Sequence, residues 1–283
     1  MKFVVTGSGG CVCIPKPLCQ CPVCVEARVK GYPHARCGCS LYLEDISLLV
    51  DTPEDIAIAL NNADIRAIST ILYSHCDPDH TMGMRIVEQL RLEWLDFYKG
   101  VKPQNPITVY AQPEVMKELN GYRTEFGSLM DYYEHMMNLI KRCEVEREVE
   151  IGGIKITFVP VPREEAVTVF VFESNGKKLI YAPCDCFPFP DDKILYDANI
   201  LILGNTFIGD ILKNGNEVGD EHPLRKELHS FQGVLLIQKN FRAKKLVITH
   251  IEEDWDKSLN DYKKMESEYD NVCFAYDGMI FQL

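Results

Sequence analysis

The sequence predicts a layered α/β protein in which two β-sheets stack on each other and helices cover their outer faces. Three observations carry this expectation. Strand-like apolar runs fall into two groups, one before residue 112 and one after residue 142, and helical stretches accompany both. Two of these runs, Ala67 to Tyr73 and Lys245 to Thr249, are largely apolar and deliver the chain to a histidine, as strands buried on both faces do. The 283 residues are 46% hydrophobic and 25% charged, enough apolar surface for one large core and too much for disorder.

The elements follow in order. Lys2 to Thr6 reads as a buried strand ending in a glycine turn, and Ser40 to Leu43 with Ser47 to Asp51 as a hairpin closing on a carboxylate. Pro53 to Asn62 has helical spacing with proline in its first turn. Met84 to Tyr98 reads as an amphipathic helix and Ile107 to Ala111 as a strand. Helices at Pro113 to Leu119 and Phe126 to Lys141 form a helical insertion over one rim, about residues 113–141. Short strands then succeed one another at Cys143 to Val149, Ile154 to Pro160, Val167 to Phe172 and Lys178 to Ala182, joined by turns holding Gly153 and Asn175-Gly176. A strand at Ile200 to Leu203, helices at Phe231 to Asn240 and Leu259 to Tyr269, and two terminal strands complete the pattern. No linker or repeat divides the chain, so residues 1–283 read as a single domain.

Composition excludes several functions. A formal net charge of −12 argues against bulk nucleic acid, which needs Lys and Arg to displace counterions. The apolar start, Met1 to Thr6, is too short for a signal-peptide core, and no segment reaches the roughly 18 apolar residues of a membrane span. A cytoplasmic protein with no membrane partner is expected. Twelve cysteines in a long chain without an export signal point to metal ligation or redox chemistry rather than disulfides.

The chemistry concentrates at His75-Cys76-Asp77-Pro78-Asp79-His80, just beyond an apolar strand. Alternation sends His75 and Asp77 to one side, while the adjacent Asp79-His80 pair reaches a second point, a layout that suits two divalent cations. Imidazole and carboxylate together suit zinc, manganese or iron. Such a metal would acidify bound water toward about pH 7 and supply hydroxide as nucleophile.

Ser-His-x-Asp-x-Asp-His-x-x-Gly resembles the His-x-His-x-Asp-His motif of the metallo-β-lactamase superfamily. The resemblance implies an αββα four-layer sandwich. Asp77 stands where that motif has its second histidine, as in the flavodiiron branch, and leans the site toward a harder metal. His250, at the end of Leu246 to Thr249, resembles the family's last ligand. Asp185, in Tyr181-Ala182-Pro183-Cys184-Asp185, resembles its bridging aspartate, one residue late. Arg163 stands where a metal-binding histidine is usual; it cannot ligate, so either Glu164 substitutes or one ion is weak or missing. The ligand set implied is His75, Asp77, Asp79, His80, Asp185 and His250, for one or two ions.

Cys19-Gln20-Cys21-Pro22-Val23-Cys24 has the tight spacing of a structural zinc knuckle over residues 19–24. With its glycine loop and Arg36 to Ser40, this segment resembles two branches of the superfamily: the cyclic-phosphate phosphodiesterase of the carbon-phosphorus lyase pathway and pyrroloquinoline-quinone biosynthesis protein B. For the fourth zinc ligand the phosphodiesterase pattern points to Glu253, with Cys37 and Cys39 as alternatives. It also gives His229 the role of proton donor to the leaving group, with His222 as backup. Cys76, Cys184 and Cys186 fall close to the metals and stay unassigned.

These readings converge on a metal-dependent hydrolase, in first place a phosphodiesterase for a small phosphorylated substrate, with Asp79 and His229 catalytic and Arg163 holding the phosphate. An iron-dependent cofactor-biosynthesis oxidoreductase and a non-catalytic metal-binding homologue are the alternatives, and a homodimer is a candidate assembly.

Overall fold

Side-chain alternation along the strands sorts the apolar residues into three layers. In the computed structural model, which describes residues 1–204 and 206–283, the strand Thr168–Ser174 shows the sorting directly. Phe170 and Phe172 point into the space between two sheets, while Val169 and Val171 face the helices outside. Ile200 and Ile202 likewise face inward and Leu201 and Leu203 outward.

Two seven-stranded sheets form the middle layers. The first runs Ile280–Gln282, Lys2–Gly7, Ser40–Leu43, Leu48–Val50, Thr70–Leu72, Ile107–Ala111, Ile140–Glu144. The second runs Val272–Phe274, Leu246–Ile248, Ile200–Leu203, Lys177–Ala182, Thr168–Ser174, Ile154–Pro160, Glu148–Ile151. Each sheet is parallel over four strands and antiparallel over the rest, so the two halves share a layout. Between the sheets Phe158 meets Phe170 edge-on at 5.1 Å and Phe3 meets Phe172 at 5.4 Å. Truncating one of these rings to Ala would cost about 3–5 kcal/mol. The expected four layers are therefore present.

Three sequence expectations fail. Met84 to Tyr98 is not one helix but a 3₁₀ turn, Met82–Arg85, followed by short helices at Ile86–Arg91 and Trp94–Phe97. Trp94, Leu95 and Tyr98 lie exposed, so no continuous apolar stripe reaches the core there to hold a long helix. Phe126 to Lys141 is also not a helix. It comprises the end of a hairpin, a short turn, a π-turn at Tyr132–Met136, and the beginning of the strand Ile140–Glu144. Asn138 at φ 56° breaks the helical path, and Ile140 pairs with Ile107 instead. The single strand expected from Cys143 to Val149 is two strands, one on the edge of each sheet.

Parallel strands in both sheets release their loops on one rim. Asp51 follows Leu48–Val50, His75 follows Thr70–Leu72, Asp185 follows Lys177–Ala182 and His250 follows Leu246–Ile248. No helix among the described residues is long and apolar enough to cross a membrane.

Candidate metal centre

Asp51, Asp185 and His250 adopt positive φ, at 63°, 52° and 56°, a conformation that turns each side chain out of its strand's alternation and toward the rim. Gly204, after Ile200–Leu203, lets two of these loops meet. A Cβ there would stand 1.7 Å from the Pro183 carbonyl and 2.8 Å from the His250 Cβ, so only glycine fits.

Behind the rim, Asp51 is fully buried and fixes two histidines. Ser74 Oγ donates to Asp51 Oδ2 at 2.7 Å, and His80 Nδ1 donates to the same oxygen at 2.9 Å. Because Ser74 has spent its only proton, it must accept from His75 Nδ1, 2.8 Å away. In their neutral forms both imidazoles are thus set as Nδ1–H tautomers with their Nε2 lone pairs facing forward. Those Nε2 atoms are buried and have no hydrogen-bond partner among the described residues. Sequence reasoning noted the carboxylate ending this hairpin but gave it no role; its signal was a buried strand that stops on aspartate.

In front of the histidines, three sets of ligand atoms each fall within 4.8 Å of one another. One is Asp79, His80 and His250, one is His75, Asp77 and Asp185, and the third is His75, His80 and Cys184. His250 Nε2 lies 3.3 Å and His80 Nε2 3.5 Å from Asp79 Oδ2, and His75 Nε2 lies 3.7 Å from Asp77 Oδ2. The rings of His80 and His250 stack at 5.5 Å. All six expected ligands therefore converge. Unpartnered Nε2 atoms facing carboxylates are the donor set a divalent cation needs, so these residues fit the metals expected of them.

The electrostatics of the groups differ. Burial, with the neighbouring His80 and His250, holds the His75 pKa well below its ordinary value, so this ring is neutral and ready to ligate. Burial opposes charge on His80 too, but the Asp51 hydrogen bond and the charges of Asp51 and Asp79 outweigh it and raise the pKa. Burial would raise Asp79, yet the His250 hydrogen bond and the surrounding histidines pull it well below the carboxylate range. Burial raises Asp77, with help from Asp185 and Asp79. Crowded carboxylates of this kind are relieved by cations.

Arg163 borders this centre, whereas His222 and His229 belong to none of the three ligand groups and are not among the residues lining the cavity over them. Arg163 Nη1 lies 3.2 Å from Asp185 Oδ2 and donates to the Asp185 carbonyl at 3.1 Å, while its Nε donates to Glu165. Glu164, its suggested substitute as ligand, is exposed and belongs to none of the three groups. His229 is buried, and its Nε2 donates to the Cys186 carbonyl at 2.9 Å; burial lowers its pKa. His222 Nδ1 accepts from the Leu224 backbone. Cys76 is half-buried, and its carbonyl accepts from Tyr122. A cavity of about 310 Å³ opens over the ligands, lined by Cys11, Asp77, Asp79, Cys184, Asp185 and His250 among others.

Apart from this rim, Cys19, Cys21 and Cys24 hold their Sγ atoms within 4.8 Å of one another, a fit to the expected zinc knuckle. Cys21 caps the helix Pro22–Lys30, and the Lys16 N–H donates to Cys24 Sγ at 3.3 Å. Cys37 and Cys39 are committed elsewhere, to the Tyr32 hydroxyl and to Tyr181 with Thr249, and do not join the three thiols. Glu253 is fully buried, with Oε1 bound to Lys213 and Oε2 without a hydrogen-bond partner among the described residues, yet it too lies outside the group of three thiols, so no fourth ligand joins them among the described residues.

Histidines and carboxylates gathered at the strand ends of a helix–sheet–sheet–helix sandwich define a class made up mostly of metal-dependent hydrolases using divalent metals such as zinc. The chain belongs to the β-lactamase superfamily: the family model described as "Beta-lactamase superfamily domain" matches residues 47–251. Among solved structures it is similar to a diphosphatase of the PhnP family, at 20% identity and TM-score 0.71 over 99% of this chain and 96% of that one. It is also similar to Zn²⁺-bound PqqB from Methylobacterium extorquens, at 20% identity and TM-score 0.76 over 100% of both chains. Human tRNase Z, short form, gives 16% identity and TM-score 0.66 over 100% and 99%. These likenesses show the fold. No curated protein matches the chain.

Proposed function

We propose that the chain is a metal-dependent phosphodiesterase acting on a small phosphorylated substrate, cyclic or linear. The observation that carries this reading is that two carboxylate–histidine groups, Asp79/His80/His250 and His75/Asp77/Asp185, open on one cavity of about 310 Å³. Glu227, Glu252 and Asp254 add further acidity to its walls, so a bare cavity would repel a phosphate. Divalent cations held there supply the compensating charge, Lewis acidity toward a phosphoryl oxygen and an acidified water.

The chain's own residues supply the rest. Asp51 fixes both histidine rings, which keeps the ligand geometry rigid before substrate arrives. Asp79, held ionised, orients the attacking water by accepting its hydrogen bond. Arg163 exchanges its exposed partner Glu165 for a substrate phosphate, a bidentate contact suited to guanidinium. His229 lies behind Cys186 and is the proposed donor to the leaving oxygen. The likeness in fold to a diphosphatase and a tRNase supports this class.

A second reading, an iron-dependent oxidoreductase of cofactor biosynthesis, is favoured by the Cys11 and Cys184 thiols lining the same cavity. Manganese- or zinc-dependent hydrolysis of bis-p-nitrophenyl phosphate, abolished by chelation and by His80→Ala, supports the phosphodiesterase. Oxygen consumption by anaerobically iron-loaded protein that hydrolyses no phosphodiester overturns it in favour of the second.

A further inference from the structure

Cys184 stands between the two ligand groups. Its Sγ lies within 4.8 Å of ligand nitrogens of both His75 and His80. His75 belongs to the group with Asp77 and Asp185, and His80 to the group with Asp79 and His250. The thiol is therefore close to one member of each set, the place a shared ligand occupies. The histidine Nε2 atoms facing this space are buried and unpartnered among the described residues. Asp185, in the left-handed conformation, turns away to sit with His75 and Asp77 and pairs with Arg163, so its carboxylate serves the outer group.

Resting on the metal-centre reading above, we infer that Cys184 ligates as a thiolate bridging two active-site cations, with Asp185 a terminal ligand to one of them. Cation uptake breaks the Cys184 S–H bond, the sulfur lone pairs bind the cations, and the proton passes to solvent. A thiolate in the shared position makes the centre softer than its aspartates alone imply. It selects zinc or cobalt over manganese, against the harder metal that Asp77 points to. Cys186 does not share the role, because its Sγ donates to the Cys184 carbonyl at 2.9 Å and it joins none of the ligand groups.

The test is optical and independent of turnover. Full-length protein is loaded anaerobically with cobalt(II), its cobalt content is measured, and near-ultraviolet sulfur-to-cobalt charge transfer is compared between wild type, Cys184→Ser, Cys184→Asp and Cys186→Ser. The knuckle thiols contribute equally to all four, so the differences report the centre alone. Expected is loss of the centre's share of the band in both Cys184 variants, with Cys184→Asp keeping the full cobalt content and Cys186→Ser matching wild type. A band unchanged in Cys184→Ser and Cys184→Asp at equal cobalt content overturns the bridging thiolate and leaves the metal centre standing. Wild-type protein that takes up only the knuckle's single cobalt overturns both.

Discussion

The buried Asp51 carboxylate accepts the Nδ1 proton of His80 at 2.9 Å, and through Ser74 it also sets the tautomer of His75. One side chain behind the site thus aims two ligands. Asp51→Ala should weaken cation binding about 10- to 100-fold, the usual cost of losing such a partner. Competition with a chromophoric chelator checks this, and an unchanged affinity would show that the rings hold themselves.

Arg163 is the cation nearest the ligand groups, tied to Asp185 and to exposed Glu165. If it binds the substrate phosphate, Arg163→Met raises KM and lowers kcat/KM about 10- to 100-fold, the worth of a charge-assisted contact. Metal content should not change. A fall in kcat at constant KM would place its role in holding Asp185 instead.

His229 has its Nε2 proton committed to the Cys186 carbonyl. As a proton donor it matters only when the leaving group is a poor one. His229→Gln should therefore cost about 10²- to 10⁴-fold on an alkyl phosphodiester and far less on a p-nitrophenyl ester. Equal losses on both substrates would identify a positioning residue that holds the Cys184–Cys186 loop.

Asp277 lies in the core, where burial pushes its carboxyl up to about 6 despite hydrogen bonds from Cys37 N, Ser8 Oγ and Ser8 N. An unfolded carboxyl titrates near 3.9, so the folded state binds this proton more tightly. The stability it contributes is fully present below about pH 4 and is lost as pH rises toward about 6, an upper limit of about 2–3 kcal/mol. In metal-free protein, urea unfolding should favour wild type over Asp277→Asn more at pH 4.5 than at pH 7. A difference independent of pH contradicts the raised carboxyl.

Much of this architecture was legible from residues alone, and the failures have identifiable causes. Thr70–Leu72 and Leu246–Ile248 are short, apolar and buried on both faces, and each ends near a histidine, so strand and ligand were read together. The helix expected at Phe126 to Lys141 failed because Met130, Tyr133 and Met137 are buried at helix-like spacing without one long helix. A turn at Asn138 and pairing with Ile107–Ala111 decided the path instead. The sharing position of Cys184 was hidden because the left-handed Asp185 interrupts the strand's alternation, which spacing alone does not show. Asp51 escaped for a related reason: its partners Ser74 and His80 are 23 and 29 residues away.

Convergence of Asp79, His80 and His250 with His75, Asp77 and Asp185 on bound cations is tested most directly by elemental analysis of protein purified without oxygen. Three divalent ions per chain are predicted for wild type, two at the centre and one at Cys19/Cys21/Cys24, falling to the knuckle's one in the His75→Ala/His80→Ala double variant. Equal metal content in wild type and double variant would contradict the account.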